Sequence, residues 1–201
     1  IYRHSPYLVT KLSFPEIHAN SQRLTLANHS LKQLNIVDDS RHTGKLRSVS
    51  ALFNNCSTVM GKRKFAYGLS NPITNTEILT KSYNVTDHLL NDRQGHDNKS
   101  RWEEYRSILS NVSDLEKLAR KIVLKRATPK DIAILANDLR RTVTIYQSIK
   151  SDQFLLEYVK DTHGETIDEL CEQIIFILNE SFNLDACSKI DDITPDRLIL
   201  N

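Results

Sequence analysis

Residues 56 to 73, CSTVMGKRKFAYGLSNPI, decide how the rest of the chain is read. A glycine followed by lysine, then a basic run, then Asn-Pro admits three readings: a phosphate cradle, a nucleic-acid patch or a packed helix. A phosphate loop needs glycines spaced so that several backbone N–H groups converge on the anion, followed by Lys and a Ser/Thr for magnesium. Here Gly61-Lys62 runs into Arg63, no glycine lies four or five residues upstream, and no continuous apolar strand leads in. Lys62, Arg63 and Lys64 can neutralise phosphates. No aromatic stacking set is interleaved with them, however, and a short charge run is ordinarily a solvated helix face. The packed helix remains. Thr58 can cap it, Phe65 and Leu69 stand four apart on its buried side, and Gly61 lets a neighbouring element approach closely. Pro72 ends it, because proline disfavours helical geometry in the residue before it.

Composition supports helices on either side. Only 5 Gly and 5 Pro in 201 residues argue against a loop-rich or all-β chain. With 27 basic and 25 acidic residues the net charge is +2, so any contact with nucleic acid or a membrane surface has to be local. The three cysteines, Cys56, Cys171 and Cys187, form no CxxC pair, which fits buried thiols in a reducing compartment better than a disulfide framework. The Asn-x-Ser/Thr triplets at 84–86 and 111–113 read as chance matches in an Asn-rich chain. No apolar run approaches the roughly 20 residues of a membrane span, and no signal-peptide pattern is present. A start at Ile1 instead of Met predicts a piece of a longer protein.

Residues 1–26 read as the end of a preceding connector, with two short extended segments, YLVTKLSF and SQRLTLA, separated by proline. Helical spacing governs 27–201. Leu46, Val49, Phe53 and Cys56 predict one apolar stripe on a helix. Thr74 to Glu77 reads as a capping box opening a helix with Ile78, Val85 and Leu89 on one face. Residues 91–100 read as a polar loop, followed by a helix through Trp102, Ile108 and Leu109. Ser113 to Glu116 is a second capping box, with Leu115, Leu118, Ala119 and Ile122 behind it. Thr128-Pro129 restarts the chain, with Asp131 at the third helical position. Ile132, Leu135, Ala136, Leu139 and Val143 carry its inner face, and Arg140, Arg141 and Lys150 its outer one. Further helices run from about Phe154 to Phe182, with Ile167, Leu170, Ile174 and Leu178 facing inward.

Nothing in these patterns makes an active site. The seven histidines are scattered, none at helical spacing from another, so solvated or capping roles are the default over metal binding. Thr162-His163-Gly164-Glu165 reads as a turn. There is no G-x-S-x-G nucleophile elbow. Asp38 and Asp39 are adjacent, so their carboxylates point apart, as loop or cap residues do.

At this point three motifs in order become informative. Thr58-Val59-Met60-Gly61-Lys62-Arg63, ending in Leu69-Ser70-Asn71-Pro72, resembles the Thr-x-Met-Gly-x-Arg helix and Leu-x-x-Pro stop of the MutS family. Asp114-Leu115-Glu116 resembles that family's Asp-Leu-Glu-Arg helix, and Pro129-Lys130-Asp131-Ile132 resembles its Pro-x-Asp-Leu restart. LTLANHSLKQLNI resembles the segment that enters the core. The likeness spans about residues 24–139. Three positions depart from the family pattern. Gly68 stands where a bulky residue is common, Ala27 where an aspartate precedes the entry helix, and Lys81 where an arginine stands.

The resemblance implies a mainly α, multi-helical core and lever domain, with one or two short β-strands at its N-terminus. The clamp and ATPase domains lie outside it. It implies structural roles for Met60, Gly61, Arg63, Leu69 and Pro72, for Asp114, Leu115 and Glu116, and for Pro129 and Asp131. Asp114 or Glu116 is expected to hold a helix N-terminus or to pair with an arginine, capping alone being the plainer option. Lys62 and Lys64 are candidate DNA-backbone contacts. No catalytic, cofactor-binding or metal-ligating residue is assigned. The Walker motif is absent, so ATP and magnesium belong to the full-length parent. That parent would be an intracellular ATPase encircling duplex DNA with a MutS-like dimer partner. The rival reading is a free-standing helical interaction module with no DNA role. An enzyme with a composite site would need converging carboxylates or histidines that no spacing predicts.

Overall fold

The computed structural model describes residues 23–24, 26–39, 43–92, 100–163 and 167–190. Within them the chain is helical. α1 spans Asn28–Gln33, α2 Val49–Phe53, α3 Val59–Ser70, α4 Thr76–Asn91 and α5 Arg101–Leu109. α6 spans Leu115–Val123, α7 Pro129–Lys150, α8 Gln153–His163, α9 Ile167–Ser181 and α10 Leu184–Lys189. The mainly α reading holds. Of the N-terminal strands, only Arg23 falls among residues whose pairing is described, in an isolated antiparallel bridge to Ile73. The rest of that expectation lies outside the described residues, as do the greater part of the 91–100 loop, Gly164-Glu165 and the 191–201 tail.

α7 organises the domain. Its 22 residues make a rod about 33 Å long. It starts where the sequence says it should: the Thr128 hydroxyl accepts from Asp131 N, Asp131 answers to Thr128 N, and Pro129 fills the first position, where no N–H is needed. Ile132, Ala136, Leu139, Val143 and Tyr146 recur along one side and are buried. α9 and α10 pack along that side, and α5, α6 and α8 touch α7 at other points. The core is therefore a seam: Ile132 and Ala136 meet Leu178, while Leu139 and Val143 meet Cys171. α4 packs on α5 and α8. No helix of the described residues is long and apolar enough to cross a membrane.

Four local expectations are corrected. The Leu46–Cys56 stripe is not one helix: α2 has five residues, and Leu46 and Phe53 are 81% and 61% exposed. Ser48 caps α2, and the N–H groups of Val49 and Ser50 donate to Asn35 and Ile36 carbonyls at the exit of α1, so the helix cannot run further back. α4 is capped by Asn75, one residue after Thr74; the Asn75 side chain accepts from both Glu77 N and Ile78 N. α6 is capped by Asp114, not Ser113. On α9, Leu170 and Ile174 face solvent, and the inner face runs through Ile167, Cys171, Ile175 and Leu178.

α3 carries two glycines with opposite surroundings. A Cβ on Gly61 would stand 2.9 Å from Thr58 Oγ1 and 3.3 Å from Cys56 Cβ, and that hydroxyl is the cap accepting from Gly61 N. A Cβ on Gly68 would meet nothing within 4 Å. Gly68→Ala is therefore expected to stabilise the chain by about 1 kcal/mol. Gly61→Ala gains the same propensity but disturbs a cap worth about 1 kcal/mol, so it is expected to give no net gain. Urea denaturation of both variants checks this, and equal stabilisation by the two would contradict it.

Candidate functional site

Sequence motifs far apart meet at charged joints between helices. Arg63 on α3 grips the start of α6: its Nη1 donates to Asp114 Oδ2 at 2.6 Å, and its Nη2 to Asp114 Oδ1 at 2.8 Å and to Glu116 Oε2. Asp114 Oδ1 also accepts from Lys117 N at 3.2 Å, so one carboxylate both caps α6 and holds α3. Both roles considered for Asp114 occur together. Planar Arg forks suit such bidentate pairing. Lys62 and Lys64, on either side of Arg63, are exposed and join no such pair among the described residues. Met60 and Leu69 are half-buried on α3, and Leu115 half-buried on α6. Pro72 follows the Asn71 cap, its carbonyl accepting from Leu24 N at 2.9 Å.

The Arg63 guanidinium and the capped N–H hold the Asp114 carboxyl at about 2, below its ordinary 3.8. Because the folded-state value is depressed, the stabilisation is complete above about pH 4 and is lost as pH falls through 2. The stability difference between the native chain and Asp114→Asn is therefore expected to shrink over that interval, measured by urea denaturation at stepped pH. A difference constant from pH 7 to pH 2 would contradict the assignment.

A second joint lies where α4, α5 and α8 meet. Arg101 Nε contacts Asp92 Oδ2 at 2.8 Å, and its Nη1 donates to Asp152 Oδ2 at 2.8 Å. All three side chains are buried, Arg101 being 9% exposed. His88 Nε2 lies 2.8 Å from the same Asp152 oxygen. Asp152 Oδ1 accepts from Phe154 N and Leu155 N at the start of α8. Burial pushes the Asp152 carboxyl up, but the His88 hydrogen bond, the Leu155 N–H and the Arg101 charge more than offset it and hold it below its ordinary value. His88, Asp92 and Asp152 place one ligand atom each within 4.8 Å of one another, close enough for a divalent cation. The Arg101 guanidinium already supplies the positive charge to both carboxylates, so the donor set fits an ion pair and not a metal.

Three further joints fix α7. Asp138 is fully buried; its Oδ2 accepts from Ser113 N at 2.9 Å and its Oδ1 from Arg141 Nη1 at 2.7 Å. Arg141 Nη1 also donates to Asn111 O at 2.9 Å, so the 111–113 turn is pinned to the rod. Asp131, beyond its capping role, takes Lys121 Nζ at 2.7 and 2.9 Å from the last turn of α6. Lys150 at the end of α7 pairs with Asp168 at the start of α9. At the departure position Lys81, the ammonium reaches Asp161 on α8 with a single contact of 3.2 Å between two exposed side chains.

The assigned motif residues thus gather around two of these joints, Arg63–Asp114–Glu116 and Thr128–Asp131–Lys121. The Arg101 hub and Asp138 were missed. Ser100 to Glu103 is itself a capping signature, with Ser100 N donating to Glu103 Oε2 at 3.2 Å, and it would have placed Arg101 in a first turn. Asp152 likewise precedes a helix as an acidic cap. Nothing local marks Asp138, which reads as one more polar residue on a long helix.

Residues 29–192 match the family model described as MutS domain III. A mutS homolog of Acanthamoeba polyphaga mimivirus is 31% identical over 160 residues, 77% of this chain and 14% of that relative. The DNA mismatch repair protein MutS of Petrotoga mobilis is 26% identical over 171 residues, covering 85% of this chain and 19% of its own length. The DNA mismatch repair protein msh-2 of Neurospora crassa is 29% identical over 115 residues, 57% of this chain and 12% of the relative. The chain therefore spans less than a fifth of the length of these relatives.

Proposed function

The chain belongs to the MutS family, carrying its domain III across residues 29–192, and from that premise we propose that it is the mechanical core of a DNA mismatch repair protein. In this reading the parent is an ATPase that binds ATP and magnesium and encircles duplex DNA with a MutS-like partner, inside the cell and at the genome. This segment contributes no chemistry. It passes displacement between an ATPase domain and a DNA clamp as a rigid body.

The observation that carries the proposal is the arrangement of joints around α7. A single buried rod is tied to α6 through Lys121–Asp131, to the preceding turn through Asp138, and to α9 through Lys150–Asp168. α6 in turn is gripped by Arg63 of α3. Paired charges of this kind resist sliding, because a shift leaves charge buried without its partner. Met60, Gly61, Leu69, Pro72, Leu115 and Pro129 set the shape of the elements that meet there.

Arg63→Ala in the full-length protein tests it. ATP hydrolysis without DNA is expected to persist while its stimulation by DNA falls several-fold. Unchanged stimulation in a folded variant would overturn the coupling role. The alternative, a free-standing interaction module, has one feature in its favour: Leu170, Ile174, Phe176 and Ile177 are exposed along α9. Its test is whether the chain recruits a partner helix when every further domain has been removed.

A further inference from the structure

From Lys117 to Lys130 the chain carries six cations, Lys117, Arg120, Lys121, Lys125, Arg126 and Lys130, and no acid. Elsewhere the arginines of the joints are committed: Arg63, Arg101 and Arg141 all hold carboxylates. Lys121 is committed too, to Asp131. Arg120, Lys125 and Arg126 are different. Each is exposed and makes no side-chain hydrogen bond or ion pair among the described residues. The carboxylate best placed to neutralise Arg120 is Glu116, one turn earlier on α6, and Arg63 already holds it.

The corner that carries these groups is rigid. Arg126 N donates to Lys121 O at 2.8 Å and Lys125 N to Ile122 O at 2.9 Å, the two bonds that close a helix end with a left-handed residue. Lys125 is that residue, at φ 54°. Glycine adopts this geometry with least strain, and at the matching place after α1 the chain uses Asn35, at φ 51°. A lysine held there keeps its long cationic side chain against the backbone's preference. Complementing the dipole of α6 accounts for cations in its last turn, but Lys130 lies in the first turn of α7, the unfavourable end for positive charge.

We infer that the α6–α7 corner, through Arg120, Lys125 and Arg126, contacts the sugar-phosphate backbone of duplex DNA without reading its sequence. Four consecutive exposed residues, Val123 to Arg126, project the corner into solvent, with Val123 80% exposed. A phosphate strand needs only cations on long stems; a protein that seats the exposed Val123 and Leu124 is the other outcome of the test. The inference rests on the DNA-repair reading above but not on its coupling mechanism.

Anisotropy of a short labelled duplex, titrated with the 201-residue chain at stepped salt, tests it. Replacing Arg120, Lys125 and Arg126 together by alanine is expected to weaken binding at least about tenfold at low salt. The log–log salt slope should fall by about 2–3, near 0.9 for each lost phosphate contact. Lys125→Gly relaxes the turn while removing one cation, and should lower the slope by about 1 with no loss of fold. Equal affinity and slope for the native chain and the triple variant would overturn the inference. So would tight binding to an acidic polyglutamate peptide in place of DNA, which would identify a protein partner. A failure here leaves the Arg63→Ala result on ATP hydrolysis untouched, so the two readings fall separately.

Discussion

Arg101→Leu is expected to destabilise the chain by about 3–5 kcal/mol, the usual cost of stranding buried charge, and to lower its melting temperature by about 10 °C. The guanidinium lies between Asp92 and Asp152, whose side chains are 8% and 12% exposed. Without it, the Asp92 and Asp152 carboxylates lose the guanidinium they share and face each other uncompensated by that charge. Asp152 cannot turn away, because its other oxygen caps α8 through Phe154 N and Leu155 N. Asp92→Asn placed on top of Arg101→Leu should recover part of the loss by removing one of the stranded charges. Independent costs from the two substitutions would contradict the ion-pair account. Thermal melts of the two single variants and the double variant decide it.

Asp138→Ala is expected to cost about 2–3 kcal/mol by the same assay. The carboxylate is wholly enclosed, so its removal opens a small cavity in α7 and leaves Ser113 N without its acceptor. Arg141 suffers less: its side chain is 40% exposed and keeps its bond to Asn111 O. Asp138→Asn retains one acceptor oxygen and should cost clearly less than alanine. If the two substitutions prove equally costly, packing and not the Ser113 and Arg141 bonds explains the site.

What was legible in the sequence follows the range of the interactions. α7 was readable in full because its signals are local and agree: a threonine cap, proline at the first position, an acid at the third and an apolar stripe that keeps its period. Two caps were displaced by a single residue, toward Asn75 and Asp114. In both places an amide or carboxylate oxygen took the role from a neighbouring hydroxyl, and a carboxylate can serve two helices at once, as Asp114 does with Arg63. The face of α9 was misread for another reason. Asp168, Glu169, Glu172 and Gln173 take one side of the helix, and the broad apolar arc opposite holds both pairs, so periodicity alone does not select Cys171 and Ile175 over Leu170 and Ile174.

The α2 region failed because tertiary bonds, from Val49 N and Ser50 N to the exit of α1, set the helix length. Long-range joints were the least legible. Arg101 and Asp152 are 51 residues apart, and no local pattern pairs them. Resemblance supplied Asp114 and Asp131 as important positions, while geometry supplied what they hold.

To act as a relay, α3 to α10 must behave as one stiff body. Native-state amide hydrogen exchange measures this residue by residue. The core amides of α4, α5 and α8 should exchange with the same free energy as those of α7, through whole-molecule opening. In Arg101→Leu those three helices should open at a lower free energy than α7. If α4, α5 and α8 already open independently in the native chain, it is a set of loosely joined helices and cannot act as a relay.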